Sequence, residues 1–306
     1  MIHRFDKQLS RLEIYANGDE LAQVMGMDRD ERGRRISSYP EEKRMHVATL
    51  RDPVLVTDTY KIAQLDPATR DTVFALHGRS IRHTEYDGTR LRFDERRYKD
   101  VWGPSIDTLL FCRALENTDL SDVKKGIEVG CGSGFIAKYL LGNAPDLESM
   151  TLVDFNPYAL ICANENIEDE RARYVSQDAL EYFGDRKFDL IVCNPPYIPR
   201  PESIDDNPYE GIGLLSYLIN NADKHLNKGG RIVTNISSLC EESAYRTIGE
   251  AGVRARVIDS LEVPLKVYNV LNNREWIGFL EERGLKKGYK RGYEYWQKLN
   301  ITEISV

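Results

Sequence analysis

Ile127-Glu128-Val129-Gly130-Cys131-Gly132-Ser133-Gly134 is the stretch that decides the fold of this 306-residue chain. A short apolar strand runs into a glycine turn, and Phe135–Leu141 follows with the apolar spacing of a helix. Glycine lets a backbone turn sharply and come close to a ligand, because no Cβ stands in the way. The helix that follows offers amide donors at its amino end. A dinucleotide loop has the spacing G-x-G-x-x-G, whose third glycine would fall at Phe135. Here the glycines stand at 130, 132 and 134, with the acid Glu128 two residues before the first.

Outward from this turn the same alternation repeats. Met150–Val153, Ala172–Val175, Leu190–Cys193 and Arg231–Asn235 read as short buried strands. Pro157–Ile167, Leu214–Leu226 and Glu241–Ala251 read as the helices between them. Strands that alternate with helices of this length imply βαβ units and a Rossmann-like α/β sheet, mostly parallel and covered on both faces. Two more strands, Ala255–Val263 and Tyr293–Ile304, flank a helix near Arg274–Glu282.

Residues 1–100 differ in texture. Helices are expected at Glu41–Leu50 and from Asp66-Pro67 to Leu76, where Asp is the cap, Pro opens the helix and Gly78 stops it. Asp87-Gly88 between Ile81–Tyr86 and Thr89–Glu95 signals a two-residue hairpin. The expectation is a mainly helical domain over 1–100 that ends in a hairpin and docks the substrate, followed by the α/β domain over 101–306.

The formal charge of −7, from 42 basic and 49 acidic side chains, argues against a protein that binds nucleic acid over its whole face. No apolar run is long enough to span a bilayer, and the charged amino-terminal residues hold no signal sequence. The cysteines at 112, 131, 162, 193 and 240 are scattered without a C-x-x-C pair. Neither they nor the histidines have metal-ligand spacing. A reduced, cytoplasmic protein without a metal is the expectation.

Asp154 closes the strand after the glycine turn, where an acid can take both hydroxyls of a ribose. Phe155 beside it can pack on an adenine face. Asp178, followed by Ala179, ends the next strand, where it can accept from an adenine amino group. Ligands of open α/β sheets sit at the carboxyl ends of the strands, so these positions together describe a nucleoside site.

Leu190-Ile191-Val192-Cys193-Asn194-Pro195-Pro196-Tyr197 carries the second signal. Two prolines directly after a buried strand end it and stiffen the loop. Asn194 then presents an amide oxygen, Pro195 a carbonyl and Tyr197 a flat ring. Two acceptors and a stacking face make a receptor for a planar NH2 group. Its delocalised lone pair has to be turned out of the plane before it can attack.

On these residues the chain resembles the N5-glutamine methyltransferases that modify peptide release factors. Glu128–Gly134 is similar to their cofactor loop, Asp154-Phe155-Asn156 to their second motif and Asn194-Pro195-Pro196-Tyr197-Ile198 to their substrate motif. Gly211–Tyr217 and Gly229-Gly230 resemble the helix and strand that follow. Pro104–Leu110 resembles the segment after the family's hairpin, with Asp107-Thr108 at its Glu-Thr positions. The family's Pro-Arg-Pro run reads Pro104-Ser105-Ile106 here, and Leu109 replaces the acid after the threonine.

The resemblance implies a class I methyltransferase sheet with an antiparallel last strand, S-adenosylmethionine as cofactor and S-adenosylhomocysteine as product. It makes Glu128, Gly130, Cys131, Gly132, Gly134, Asp154, Phe155, Asp178, Ala179 and Asn194 the cofactor-binding candidates. Asn194, Pro195, Pro196 and Tyr197 are the catalytic ones. A protein substrate, such as a translation factor, is the expected partner.

The N-P-P-Y motif is also shared by enzymes that methylate adenine N6 or guanine N2 in nucleic acid. The insertion over 264–292 and the basic, aromatic stretch Arg283–Lys298 keep that alternative open. Lys286, Lys287, Lys290 and Arg291 would then meet phosphates, with aromatics stacking on bases. The same basic stretch also reads as a solvated turn leading into the last strand. A non-catalytic cofactor-binding partner protein is the third reading.

Overall fold

The computed structural model describes residues 81–94, 97–202, 212–265, 267–271, 273–290 and 293–306. It opens with a hairpin of β1 (Ile81–Tyr86) and β2 (Thr89–Asp94), paired in register from Tyr86↔Thr89 to Ile81↔Asp94. Asp87 and Gly88 turn it at φ of 44° and 81°, the left-handed conformation that a tight hairpin demands and that an Asp-Gly pair supplies.

Helix α1 (Ile106–Glu116) leads into β3 (Lys125–Val129), α2 (Phe135–Asn143), β4 (Ser149–Asp154), α3 (Pro157–Asn166), β5 (Ala172–Ser176), α4 (Ala179–Phe183) and β6 (Phe188–Cys193). Then come α5 (Gly213–Asn220), α6 (Ala222–His225), β7 (Leu226–Ser237), α7 (Glu241–Ala251) and β8 (Arg254–Pro264). The chain ends with α8 (Tyr268–Leu271), α9 (Arg274–Glu281), β9 (Lys286–Lys290) and β10 (Tyr293–Ser305).

The large sheet has the order β5-β4-β3-β6-β7-β10-β8, with β9 also against β10. Strands β3 to β7 are parallel, whereas β10 runs antiparallel to β7, β8 and β9. This is the expected Rossmann-like sheet with an antiparallel last strand.

Both faces are covered, which is why the central strands read as unbroken apolar runs. On one face Phe111, Phe135, Tyr139 and Leu140 of α1 and α2 pack on Val192, Val233 and Leu299. On the other, Phe183, Leu215, Leu218 and Ile248 of α4, α5 and α7 pack on Ile127, Ile191 and Ile232. Among the described residues no helix is long and apolar enough to cross a membrane.

Several elements differ from the sequence reading. Helix α1 has no counterpart in it, although Pro104-Ser105 opens the helix and the Thr108 hydroxyl accepts from the Ser105 N–H at 3.0 Å. The helix expected over Leu214–Leu226 is broken at Asn221, and strand β7 begins at Leu226. Strand β9 replaces the solvated turn expected ahead of the last strand. The helices expected at Glu41–Leu50 and 66–76 lie outside the described residues.

The hairpin shares its core with the helices after it. Tyr86, Leu91 and Phe93 are at most 2% exposed and belong to the α1–α2 cluster. The Tyr86 hydroxyl donates to Glu116 at 2.7 Å, and the Arg92 N–H donates to Asn166 of α3 at 3.0 Å. Gly103 leaves room for the Phe93 ring, since a Cβ there would meet its Cδ1 at 2.8 Å. Phe93→Ala is expected to cost about 3–5 kcal/mol of stability, read by urea unfolding of the whole chain. An unchanged midpoint would mean that the hairpin folds independently of the sheet.

Candidate functional site

Parallel pairing brings the sequence candidates to one edge. Val129 pairs with Val153 on one side and Cys193 on the other, and Asp154 pairs with Ser176. The residues that follow each pair therefore leave the sheet side by side: the glycine turn, Asp154-Phe155, Asp178 and Asn194. Thr234 pairs with Cys193, which sets Asn235 beside Asn194.

The glycine turn is tied to the next strand by three backbone donors. Gly130 N–H and Cys131 N–H reach the Val153 carbonyl at 2.9 and 3.2 Å, and Gly132 N–H reaches Asp154 Oδ2 at 3.0 Å. The other Asp154 oxygen accepts from Asn156 N–H at 2.9 Å. Asp154 is thus held in place by the loop it faces. Burial raises its pKa against the pull of those two bonds.

The three glycines have separate reasons. All three have positive φ, at 64°, 50° and 77°. A Cβ on Gly130 would meet nothing within 4 Å, so the space beside this turn is open. A Cβ on Gly132 would come within 3.1 Å of the Trp102 carbonyl oxygen. On Gly134 it would strike the Ala163 methyl at 2.7 Å, so that glycine lets α2 approach α3.

The Glu128 carboxylate lies behind the turn, 3% exposed, and accepts from Ala137 N–H at 2.8 Å in the first turn of α2. Burial pushes its pKa up to about 8. Cys131 is buried and its thiol is pushed up by burial, so it packs. Asp178 caps α4 by accepting from Leu180 N–H at 2.9 Å, with Ala179 as the first helical residue.

Sequence reasoning missed Trp102. The segment carrying it is pinned to α3: the Asn156 amide donates to the carbonyls of Lys99 and Asp100 at 3.0 and 3.1 Å, and the Tyr98 hydroxyl donates to Glu165 at 2.6 Å. Trp102 is 68% exposed and Phe155 69%, two large aromatic side chains held in the open at this edge.

At the second motif Pro195 is buried, Pro196 exposed, and Asn194 and Tyr197 partly buried. The Asn194 NH2 donates to Asp107 Oδ2 at 2.9 Å, and its carbonyl accepts from the Asn235 NH2 at 3.1 Å. The Tyr197 hydroxyl stands 3.4 Å from the same Asp107 oxygen. Burial, followed by the neighbouring Asp107, raises the Tyr197 phenol well above its ordinary value. Farther along, the Trp276 indole N–H donates to the Pro199 carbonyl at 2.8 Å, so the insertion helix α9 holds the segment at Pro199.

The basic stretch is built into the sheet. Lys286 pairs with Glu262 at 3.3 Å and Lys287 with Glu294 at 3.4 Å. Trp296 is 5% exposed and packs in the core. Arg291 lies outside the described residues, as does the side chain of Lys290.

Residues 105–254 match the family model of the methyltransferase small domain. A protein of Methanocaldococcus jannaschii, provisionally named a protein N5-glutamine methyltransferase, is 28% identical over 200 residues, 61% of this chain and 96% of that one. The ribosomal protein uL3 glutamine methyltransferase of Francisella tularensis is 30% identical over 138 residues, 39% of this chain and 43% of that one. The tRNA1(Val) (adenine(37)-N6)-methyltransferase of a Flavobacteriaceae bacterium is 33% identical over 119 residues, 38% of this chain and 50% of that one. The matched stretch thus spans half or less of the last two relatives.

The raised Glu128 pKa has a sign that can be tested. Between its ordinary value of 4.5 and about 8 the folded chain holds a proton that the unfolded chain releases, so stability falls as pH rises through that window. Glu128→Gln keeps an acceptor for Ala137 and removes the titration. The variant should match the parent near pH 5 and exceed it near pH 9 by a few kcal/mol, since each tenfold change in proton affinity is worth about 1.4 kcal/mol. A pH-independent difference in unfolding midpoint would contradict a protonated, buried carboxyl.

Proposed function

We propose that this chain, whose residues 105–254 match the family model of the methyltransferase small domain, methylates the side-chain amide nitrogen of a protein glutamine. The observation that carries this reading is the orientation of Asn194, whose NH2 is committed to Asp107 and whose carbonyl oxygen, accepting once from Asn235, keeps a second lone pair for a donor. An amide NH2 brings two hydrogens, one for Asn194 Oδ1 and one for the Pro195 carbonyl. Bonds at those hydrogens favour a pyramidal nitrogen and aim its lone pair. The Tyr197 ring bounds the group on its flat side.

The chain's residues fit S-adenosylmethionine as the resemblance implied. The Gly130 turn leaves the space a backbone-hugging ligand needs. Asp154, held by Gly132 and Asn156, would take the ribose hydroxyls, and Phe155 and Asp178 would serve the adenine. When bound, the cofactor supplies a sulfonium methyl carbon open to in-line displacement. Holding the amide against it recovers about 7–11 kcal/mol of barrier through orientation, and no strong base is needed before transfer. Residues 1–100 are proposed to dock the protein substrate, since the cofactor residues all lie after them.

Nucleic acid is the rival substrate. Against it stand the net charge of −7 and the pairing of Lys286 and Lys287 with carboxylates. Label transferred from tritiated S-adenosylmethionine into whole-cell extract should be lost on protease treatment and survive nuclease. If it follows RNA or DNA instead, binding should weaken with log K against log salt sloping by about −0.7 to −0.9 per phosphate contact. Lys286→Ala with Lys287→Ala should then flatten the slope.

Two further outcomes test the site. Asn194→Ala should lower transfer by at least about 10²-fold while S-adenosylhomocysteine affinity holds, because the interaction belongs to the transition state. Near-parental turnover would reduce the loop to a structural turn. Trp102 is the one exposed indole of three, Trp276 and Trp296 being 6% and 5% exposed. Titration with S-adenosylhomocysteine should therefore shift tryptophan emission in the parent and not in Trp102→Phe, whereas Asp154→Ala should weaken the titration.

A further inference from the structure

We propose that Asp107 is a positioning residue of the transfer site: it fixes the Asn194 amide in the one orientation that offers the acceptor nitrogen a carbonyl oxygen. The inference rests on the methyl-transfer reading above and adds a residue and a selectivity to it.

Asp107 lies in the first turn of α1, only 3% exposed. A buried carboxylate is costly unless its lone pairs are met. Here the amino end of an 11-residue helix favours the negative charge, and Asn194 and Tyr197 approach one oxygen.

An amide side chain has a donor end and an acceptor end of nearly equal size, so packing alone does not tell them apart. An ionised carboxylate only accepts. Asp107 therefore selects the rotamer with the Asn194 NH2 toward itself. Asn235, fully buried, makes the same choice from the other side by donating to Asn194 Oδ1 at 3.1 Å. The reversed amide would set its oxygen against the carboxylate and its NH2 against the Asn235 NH2.

Asn194 Oδ1 has two lone pairs, of which Asn235 takes one. The second is left for the substrate. The bond to a charged acceptor also polarises the amide and strengthens its oxygen as an acceptor. That matters most when the reacting nitrogen has gained its methyl and carries positive charge.

The surroundings are acceptor-rich. Asp107 Oδ1 and Asn235 Oδ1 are both buried without a hydrogen-bond partner among the described residues. A group bound by the second lone pair of Asn194 Oδ1 must bring hydrogens, as a primary amide or exocyclic amine does. A ring nitrogen or an ester carbonyl brings no hydrogen for the Asn194 oxygen, so the residue that orients Asn194 also favours an acceptor nitrogen that carries hydrogens.

The test uses the full chain with Asp107→Asn and Asp107→Glu. Tritiated S-adenosylmethionine and whole-cell extract report the transfer rate, calorimetry with S-adenosylhomocysteine reports cofactor binding, and nitrogen-15 NMR reports the side-chain amides. Asp107→Asn makes both amide orientations possible. It should lower the maximal rate by about 10²-fold, the loss typical of one preorganised group. Cofactor affinity should change by less than about threefold. The Asn194 NH2 signal, assigned by its loss in Asn194→Ala, should be displaced in the parent and return toward the free-amide position in Asp107→Asn. Asp107→Glu, which keeps a carboxylate, should recover part of the rate.

Near-parental turnover of Asp107→Asn overturns the proposal, as does an Asn194 signal indifferent to residue 107. An equal loss of cofactor affinity would make Asp107 merely a support for the fold. Asn235→Asp provides a second route if Asp107→Asn does not fold: it sets a second carboxylate against Asn194 and should lower the rate with cofactor binding intact, and an undiminished rate would count against the orientation argument. If the parent labels no macromolecule, the transfer reading fails, and the NMR comparison still decides whether Asp107 orients Asn194.

Discussion

Strand β3 pairs in parallel with a neighbour on each side, and the site depends on that register. With Val129 opposite both Val153 and Cys193, three chains leave the sheet at the same level and in the same direction. An antiparallel neighbour would have returned the chain to the opposite edge and scattered the glycine turn, Asp154 and Asn194. Shifting a strand by one residue would instead have turned its whole apolar set over. Because both faces are packed, register is strongly specified, and the site is positioned as firmly as the core. The antiparallel β10 does not disturb this, since it enters beyond β7.

The acids gathered at this edge are held by backbone amides and side-chain NH2 groups. Glu128 is met by Ala137 N–H, Asp154 by Gly132 and Asn156, Asp178 by Leu180 and Asp107 by Asn194. Amide donors satisfy lone pairs without cancelling charge. At Glu128, whose pKa burial pushes up to about 8, the proton itself supplies the neutralisation.

The fold was legible because its determinants are local. Apolar runs, a glycine turn and an Asp-Gly pair each declare themselves within a few residues, and parallel pairing then assembles the edge. The candidate site was legible for the same reason, down to Asp154 beside the glycine loop. The partnership of Asp107 and Asn235 with Asn194 was not, since they meet it across 87 and 41 residues of chain, and neither residue type is unusual where it stands. Gly134 fits the glycine pattern, but the structure gives it a packing reason, the approach of α3. The basic stretch carried two readings, phosphate and base contact or a solvated turn. The structure builds it as a strand at the edge of the sheet, with Lys286 and Lys287 paired to carboxylates and Trp296 buried.

The insertion after β8 follows from the same logic of constraint. Two prolines stiffen the start of the Asn194 loop, but stiffness fixes a shape without anchoring it to the sheet. Asp107 and Asn235 anchor its beginning, and Trp276 holds it five residues later through the Pro199 carbonyl. Trp276 is in turn placed by the Asn273 cap, which accepts from its backbone N–H at 3.0 Å, and by a small core of Leu239, Leu265, Ile277 and Leu280. That core cannot form without the inserted residues, because Ile277 and Leu280 come from α9 itself. The segment 194–199, held at both of its ends, meets its ordering cost on folding. The insertion thus holds the segment at Pro199, while the helix that carries Asp107 holds it at the Asn194 amide.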